Sequence, residues 1–441
     1  MITTICPVGL TGTVTLRLFS FKTAWKRQFL LVLFVFVIKT VLVSCSGKGD
    51  PGPDPNVNPD PGTNPGSTNP IDYDPAFPFH EGKADFSSMS PDGKVVIWGS
   101  SKNITTPIFR LTKDGQHDTS FNIDADKSWI IRKASDMAVQ PDGKVILAGE
   151  FVVNGKGCSI IRLTGSGMLD NSFTPYDITK LTTYDITIAN LLVQSDGKIV
   201  FSQSMFNSSL GIRFNSIFRL LENGMKESSF NIEGAWIKSP TNDTRIIGSN
   251  VITDIIQLPD GKLLACGGVK FFDKRRYVAR INTNGSLDES FEFKELVTSA
   301  NSITDDLLCI AEQNGKILVG GNFSALVSDT QRDTQYAFLN LMRLNSDGSI
   351  DQTFGKNTVK AFPIALVVRN DKSFIALTKP VSSDTHISLH TDNGVIREAY
   401  SLADAKSSFK NLFRQSDSSL LVTGNILSGS QSYAVARLVL K

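Results

Sequence analysis

The chain has 441 residues, with 45 lysines and arginines against 43 aspartates and glutamates, five cysteines and four histidines. The first 44 residues hold five of the basic groups and no acid, so the rest of the chain carries 40 basic and 43 acidic groups. That balance offers no basic face for nucleic acid, and the few histidines and cysteines, none at ligand spacing, give no support for zinc.

Met1–Ser44 carries Lys22, Lys26 and Arg27, then runs apolar from Phe29 to Val43 with Lys39 as an interruption. A basic region before an apolar core is the chemistry of an export signal, so residues 1–44 are set aside from the fold. Leu42-Val43-Ser44-Cys45 looks like a lipobox, at which bacterial signal peptidase leaves a lipidated cysteine. Cys45 is then the expected lipidation site, and a membrane the expected partner through that anchor. The competing reading is a transmembrane anchor, but the apolar run is shorter than the roughly 20 residues a spanning helix needs.

Residues 45–70 hold seven prolines among Gly, Asn, Asp and Ser. Such a stretch has nothing to bury and reads as a disordered tether. It resembles the tethers of surface lipoproteins in Bacteroidetes-type bacteria, which implies a cell-envelope, outer-membrane location with outward display. Tyr73-Asp74-Pro75-Ala76-Phe77-Pro78 follows, echoing Leu169-Asp170-Asn171-Ser172-Phe173-Thr174.

From there to residue 441 the chain repeats itself. The Asp-Gly-Lys turn recurs at Asp92, Asp142, Asp196 and Asp260, with weaker copies at Asn314, Asn370 and Asp417, spaced by 47 to 64 residues. A second turn follows in six units: Asp114-Gly115, Ser166-Gly167, Asn223-Gly224, Asn284-Gly285, Asp347-Gly348 and Asn393-Gly394. Asp-Gly and Asn-Gly between apolar runs predict hairpins with type I′ turns. Each unit holds four short apolar runs; in the second they are Met137–Gln140, Val145–Ala148, Ser159–Leu163 and one around Phe173. The second and third are almost continuously apolar, as in strands covered on both faces. Four strands per period of about 50 residues predict an all-β fold, a seven-bladed β-propeller of four-stranded antiparallel blades over residues 71–441. The last unit stops at its third strand, so residues 71–79 are expected to supply its outer strand, with Phe77 buried, and so to close the ring.

The string Gln140-Pro-Asp-Gly-Lys-Val-Ile-Leu-Ala-Gly-Glu-Phe151, followed by Arg-Leu and Leu-Asp-x-Ser-Phe, resembles the delta-60 repeat of bacterial β-propellers. The resemblance covers roughly residues 83–441 and is most specific in the middle five units. It implies a fold and little about activity.

Recurring residues read as structural. An arginine returns on the third strand (Arg110, Arg162, Arg219, Arg280, Arg343, Arg437), where pairing with a nearby turn aspartate or carbonyl is expected rather than a cationic ligand ring. The aromatic of the Ser-Phe step (Phe121, Phe173, Phe230, Phe291, Phe354) reads as a wedge between blades. Cys158, Cys266 and Cys309 are expected as buried free thiols. Asp124-Ala-Asp126-Lys-Ser128 reads as a solvated turn and not a calcium loop, for want of a later bidentate acid. No cofactor motif is present.

The tight turns share one face, leaving the other to every sizeable insertion: 122–133, 174–187, 203–215, 231–251 and 324–336. Long loops on a rigid scaffold are where binding usually sits. Trp129, Tyr176, Tyr184, Trp236, Arg245 and Tyr336 are the candidate ligand-binding residues there, suited to sugar rings or a protein patch. Asp136, Asp185, Asp254 and Asp305 lie near the starts of the innermost strands and are candidate axial acids, with backbone hydrogen bonding the competing role. The preferred function is a lipid-anchored, non-catalytic binding or scaffold module for a glycan or envelope-protein partner. The runner-up is a polysaccharide lyase or hydrolase using the axial funnel, which needs a converging carboxylate pair or a tyrosine–histidine set.

Overall fold

The computed structural model describes residues 71–440 except 124–127, 179–184, 210–211, 231–238, 241–250, 268–269, 272–273, 276, 294–305, 330–333, 356–360, 380–385 and 403–406. The export signal, Cys45 and the tether lie outside the described residues. Among those described the chain is all β, in small antiparallel sheets.

Among the described residues, seven sheets of three or four strands follow in chain order, with an eighth of two strands. The first joins Gly82–Met89, Val95–Ser101 and Ile108–Leu111; the second joins Trp129–Val139, Val145–Val153 and Lys156–Leu163. The third has Asp185–Val193, Ile199–Asn207, Ile212–Leu220 and a short Ser239–Pro240. The fourth has Ile252–Gln257, Leu263–Gly267 and Val278–Ile281, with a two-stranded ribbon of Lys270–Phe271 and Lys274–Arg275 between the last two. The fifth has Asp306–Gln313, Lys316–Asp329 and Thr334–Leu344. Phe362–Val368, Phe374–Lys379, Ile387–His390 and Ile396–Tyr400 make the sixth. In the seventh, Ser408–Ser416, Ser419–Ser428 and Gln431–Leu440 are joined by Ile71–Tyr73, in the register Ile71↔Leu440 and Tyr73↔Leu438.

The continuous apolar runs mark the middle strands. Val145, Ile146, Leu147 and Ala148 are all fully buried, because a neighbouring sheet covers each face. One face packs with Val96, Ile108 and Phe121, the other with Phe173, Ile188 and Phe201. The same two-sided packing links each sheet to the next, and Leu421, Ala434 and Val435 of the seventh pack with Val95, Ile97 and Phe109 of the first. Phe77 lies in this last cluster at 2% exposure, as expected from its echo of Phe173.

The turns differ from the type I′ expectation. At Asp142-Gly143 only the glycine has positive φ (83°); Gly143 N donates to Gln140 O at 2.9 Å and Gln140 N to Lys144 O at 2.8 Å. This is a three-residue loop, a type I turn closed by a left-handed glycine. The Asp142 carboxylate accepts from Lys144 N at 3.2 Å, which an aspartate on the right-handed side of φ can do. A true type I′ pair occurs at Asn314-Gly315, with φ of 52° and 80°. In the sixth sheet Lys372, not a glycine, holds the left-handed position at φ 67°.

The uniform fourth strand is also corrected. The first, second, fourth and fifth sheets are three-stranded among the described residues. Past the second turn the chain makes a bridge, such as Leu163↔Leu169, and turns again, and in the second sheet it regains the edge only at the isolated bridge Ile160↔Tyr176. The cause is the acid that follows. Asp170 accepts from Ser172 N at 3.0 Å and from Arg162 Nε at 2.8 Å, drawing the chain inward off the sheet edge.

That arginine is the knot of each unit. Arg162 donates on to Glu222 O of the third unit at 2.7 Å and lies 4.9 Å over the Phe173 ring. Arg110–Asp118, Arg219–Glu227, Arg280–Asp288 and Arg343–Asp351 repeat the pair at 2.6 to 2.9 Å. The sixth sheet replaces arginine with His390, which stacks on Phe374 at 4.5 Å and contacts Gly394 O at 3.1 Å. Burial lowers its pKa to about 4, so it is neutral at pH 7. Cys158, Cys266 and Cys309 are buried free thiols, as expected.

Candidate functional site

The innermost strands each carry a bulge, where the partner strand's register skips a residue. A bulge re-aims a side chain, and here it sends polar groups across to the neighbouring sheet. Asp136 accepts from Met137 N and, in the third sheet, from Leu191 N, both at 2.8 Å. Asn190 donates to Ile252 O of the fourth sheet at 2.8 Å. Asp254 accepts from Ile310 N of the fifth at 2.9 Å, and Asn411 of the seventh donates to Ser87 O of the first at 3.1 Å. Hydroxyls at the preceding position add to the belt: Ser135 reaches Ile188 O at 2.7 Å and Thr253 reaches Leu307 O at 2.6 Å.

Asp136 and Asp254 are both half-buried, and burial pushes each carboxyl up to about 6 despite the backbone amides that hold the charged form. The Asp136 charge raises Asp254 further. Cys266, opposite Asp254 in the register, and Cys309 are held as neutral thiols, by burial first and the Asp254 charge second. Two carboxyls that change protonation near neutrality can exchange protons. Their occupied oxygens equally pin one sheet to the next.

Of the other two predicted acids, only Asp185 is described. Asp185 is exposed at the far end of its strand, opposite Phe206; the bulge position in that sheet belongs to Asn190. Asp305 lies outside the described residues. Asn190 and Asn411 hold matching positions with amides, which a pattern of carboxylates does not reveal. Counting eight residues back from Lys144, Lys198 and Lys262 of the turns reaches Asp136, Asn190 and Asp254 alike.

On the looped face, Trp129 is turned inward at 7% exposure, with its ring 6.3 Å from Phe151. It anchors its loop and is no exposed platform, because the strand Trp129–Val139 runs far enough to place it over the second sheet's core. Tyr176 is half-buried, edge-on to Phe201 at 5.6 Å, and its backbone pairs with Ile160. Tyr184, Trp236 and Arg245 lie outside the described residues, and of Tyr336 only the strand position opposite Val327 is described. Among the described residues no group of three or more His, Cys, Asp or Glu is placed to hold a metal, and no helix is long and apolar enough to cross a membrane.

Four segments, 90–121, 140–173, 258–291 and 312–354, match the family described as a domain of unknown function (DUF5122) beta-propeller. No curated protein matches. Among solved structures, the chain is similar to the extracellular domain of a one-component system from B. thetaiotaomicron, at 12% identity and a TM-score of 0.40. That match covers 83% of this chain and 39% of the other. A GH93 α-L-arabinofuranosidase of Fusarium graminearum in complex with arabinobiose is similar at 9% identity and 0.34, covering 68% of this chain and 91% of the other. The β-propeller domain of the Trilobed protease from Pyrococcus furiosus is similar at 12% identity and 0.33, covering 80% and 83%.

Proposed function

We propose that residues 71–441 form a seven-bladed β-propeller of the delta-60 kind, its ring shut by the strand Ile71–Tyr73, displayed from the cell envelope on a lipid attached at Cys45. It serves as a non-catalytic binding or scaffold module whose looped face takes a glycan or an envelope protein. The observation that carries this reading is that the recurring ionisable groups are spent inside the fold. Each third-strand arginine of the first five sheets pairs with an acid of its own unit, and Asp136 and Asp254 accept amides from the next sheet. What varies between units is the set of connections on one face, which is where a scaffold of this kind diversifies binding.

The alternative, a glycan hydrolase or lyase, has one observation in its favour: Asp136 and Asp254 are half-buried carboxyls with pKa raised to about 6, a range that suits proton transfer. One screen separates the two. The full chain is tested against a polysaccharide panel for binding and for release of new reducing or unsaturated ends. Binding without product, weakened in Trp236→Ala, supports the module; product formation abolished in Asp254→Asn establishes the enzyme instead. The anchor is tested by palmitate labelling of cells expressing the chain, which should be lost in Cys45→Ser.

A further inference from the structure

We propose that the stacked pair Phe86 and Trp98, on the two inner strands of the first sheet, is a binding platform for a sugar ring of a glycan. This deepens the glycan reading above and rests on it, adding a contact on the sheet itself to those of the loops. The two rings lie 5.6 Å apart at an interplanar angle of 6°, on residues that face each other where Gly82–Met89 pairs with Val95–Ser101. Both are half-buried and pack against the apolar cluster shared by the first and second sheets.

The repeat shows that the fold does not ask for this pair. Four residues past the turn lysine, the place of Trp98, the next five units carry Ala148, Ser202, Cys266, Gly320 and Ala376, and the seventh carries Thr423 at the equivalent place. All are small and all are buried, because the next sheet closes over that level. On Gly320 a Cβ would fall 2.7 Å from Pro363 of the sixth sheet. The bulkiest side chain thus stands where the other units have least room, and it is the one left partly open. Phe86 in turn holds the bulge position from which Asp136, Asn190, Asp254 and Asn411 tie one sheet to the next. A phenyl ring cannot make that tie.

The ring faces are also unspent. Phe121, Phe173, Phe291 and Phe354 each lie under the guanidinium of their own unit, 4.9 to 5.0 Å from the ring centre. Neither Phe86 nor Trp98 has a cation or a third ring against it among the described residues, and the Trp98 indole N–H has no acceptor there. Trp129, in the same cluster, is by contrast shut in at 7% exposure. Flat apolar faces match the C–H face of a pyranose, and an indole N–H at their edge can donate to a hydroxyl. Further hydroxyl partners stand on the same strand: Lys83 and Asp85 are exposed and 3.4 Å apart. An ammonium brings three donors and a carboxylate several acceptor sites, so each keeps capacity beyond the contact they share.

Trp98→Ala copies what the second and sixth units already carry, and Trp98→Phe keeps a ring. The full chain is titrated by calorimetry with soluble xylan, arabinan, galactomannan and laminarin. At least one should bind, with affinity lowered about tenfold in Trp98→Ala, the scale of one lost aromatic contact, and largely kept in Trp98→Phe. A second measurement needs no variant: N-bromosuccinimide should oxidise Trp98 in the free chain, and the bound polysaccharide should protect it, as read by peptide mass spectrometry. Unchanged affinity in Trp98→Ala, or oxidation of Trp98 that the bound polysaccharide does not slow, overturns the platform and leaves the glycan reading standing. Silence from all four polysaccharides removes that reading and the platform with it, so the two failures are told apart.

Discussion

Arg437 and Asp74 form an ion pair across 363 residues of chain, with Nε 2.7 Å and Nη2 2.6 Å from the same carboxylate oxygen. The backbone and guanidinium contacts of the local pair are reproduced, though Ala76 lacks the hydroxyl with which Ser120 bridges Asp118 and Arg110. Asp74 N donates to Arg437 O, Asp74 accepts from Ala76 N, and Arg437 lies 4.9 Å over Phe77 and donates to Lys113 O of the first unit. An early segment thus does for the seventh sheet what Asp118 to Phe121 does for the first.

Removing either end should loosen the seventh sheet. Asp74→Asn is expected to cost about 1–3 kcal/mol, the scale of a charged hydrogen bond, and Phe77→Ala about 3–5 kcal/mol through the cavity it leaves. Urea unfolding checks both. A deletion of residues 71–79 with an unchanged midpoint would sink this account of the sheet.

The bulge acids give a pH signature of unusual sign. Burial raises Asp136 and Asp254 to about 6, so the folded state binds protons more tightly than the unfolded chain. Their contribution is then present at pH 4 and lost as pH rises towards and through 6. A shift of about two units is worth on the order of 2–3 kcal/mol for each group. Asp118, Asp170 and Asp351 move the other way: burial alone would raise them, but the hydroxyl, ammonium and guanidinium partners outweigh it, so their contribution is lost only on acidification below the usual carboxylate range. Thermal unfolding between pH 5 and 8 should therefore show a decline in the native chain that is shallower in Asp254→Asn.

Two glycines of like backbone should respond differently to alanine. Gly143 and Gly394 both sit at φ 83°. A Cβ on Gly143 meets nothing within 4 Å, whereas on Gly394 it falls 2.3 Å from the Phe354 ring. Gly143→Ala is expected to cost about 1–2 kcal/mol, the left-handed penalty alone. Gly394→Ala should cost more by at least 1 kcal/mol. Equal costs in denaturant titration would mean that Phe354 is not wedged against that turn.

Lys372 supplies the converse. It occupies the left-handed position that glycine fills in the first four units, so Lys372→Gly is expected to stabilise by about 1 kcal/mol. Gln313 Nε2 holds the Lys372 carbonyl at 2.6 Å, a backbone contact that glycine keeps. A calorimetric midpoint that falls would contradict the assignment.

Much of this was legible from residues. The arginine pairing, the aromatic wedge and the place of Phe77 all followed from recurrence, because a position repeated from unit to unit answers to a contact repeated from unit to unit. Turn type was not, since Asp-Gly serves both a type I′ turn and a type I turn closed by a left-handed glycine. The fourth run keeps to the sheet edge only as far as Asp170, whose N donates to Arg162 O while its carboxylate takes Arg162 Nε and Ser172 N and starts the next turn. Among the acids, proximity to a strand start was too coarse a criterion. The bulge selects one position, and it selects Asn190 over Asp185.

The tie between Asp74 and Arg437 also sets an order of events. During synthesis, Ile71–Asp74 leave the ribosome ahead of every sheet and meet their partners, Arg437–Leu440, only after more than three hundred further residues have followed. Each intermediate sheet can dock on its predecessor as it emerges, since its arginine and acid are eight residues apart. The last joint alone carries the entropy of a whole-chain loop. Maturation should therefore end on a single slow step, in which the first-made strand of the fold captures the last.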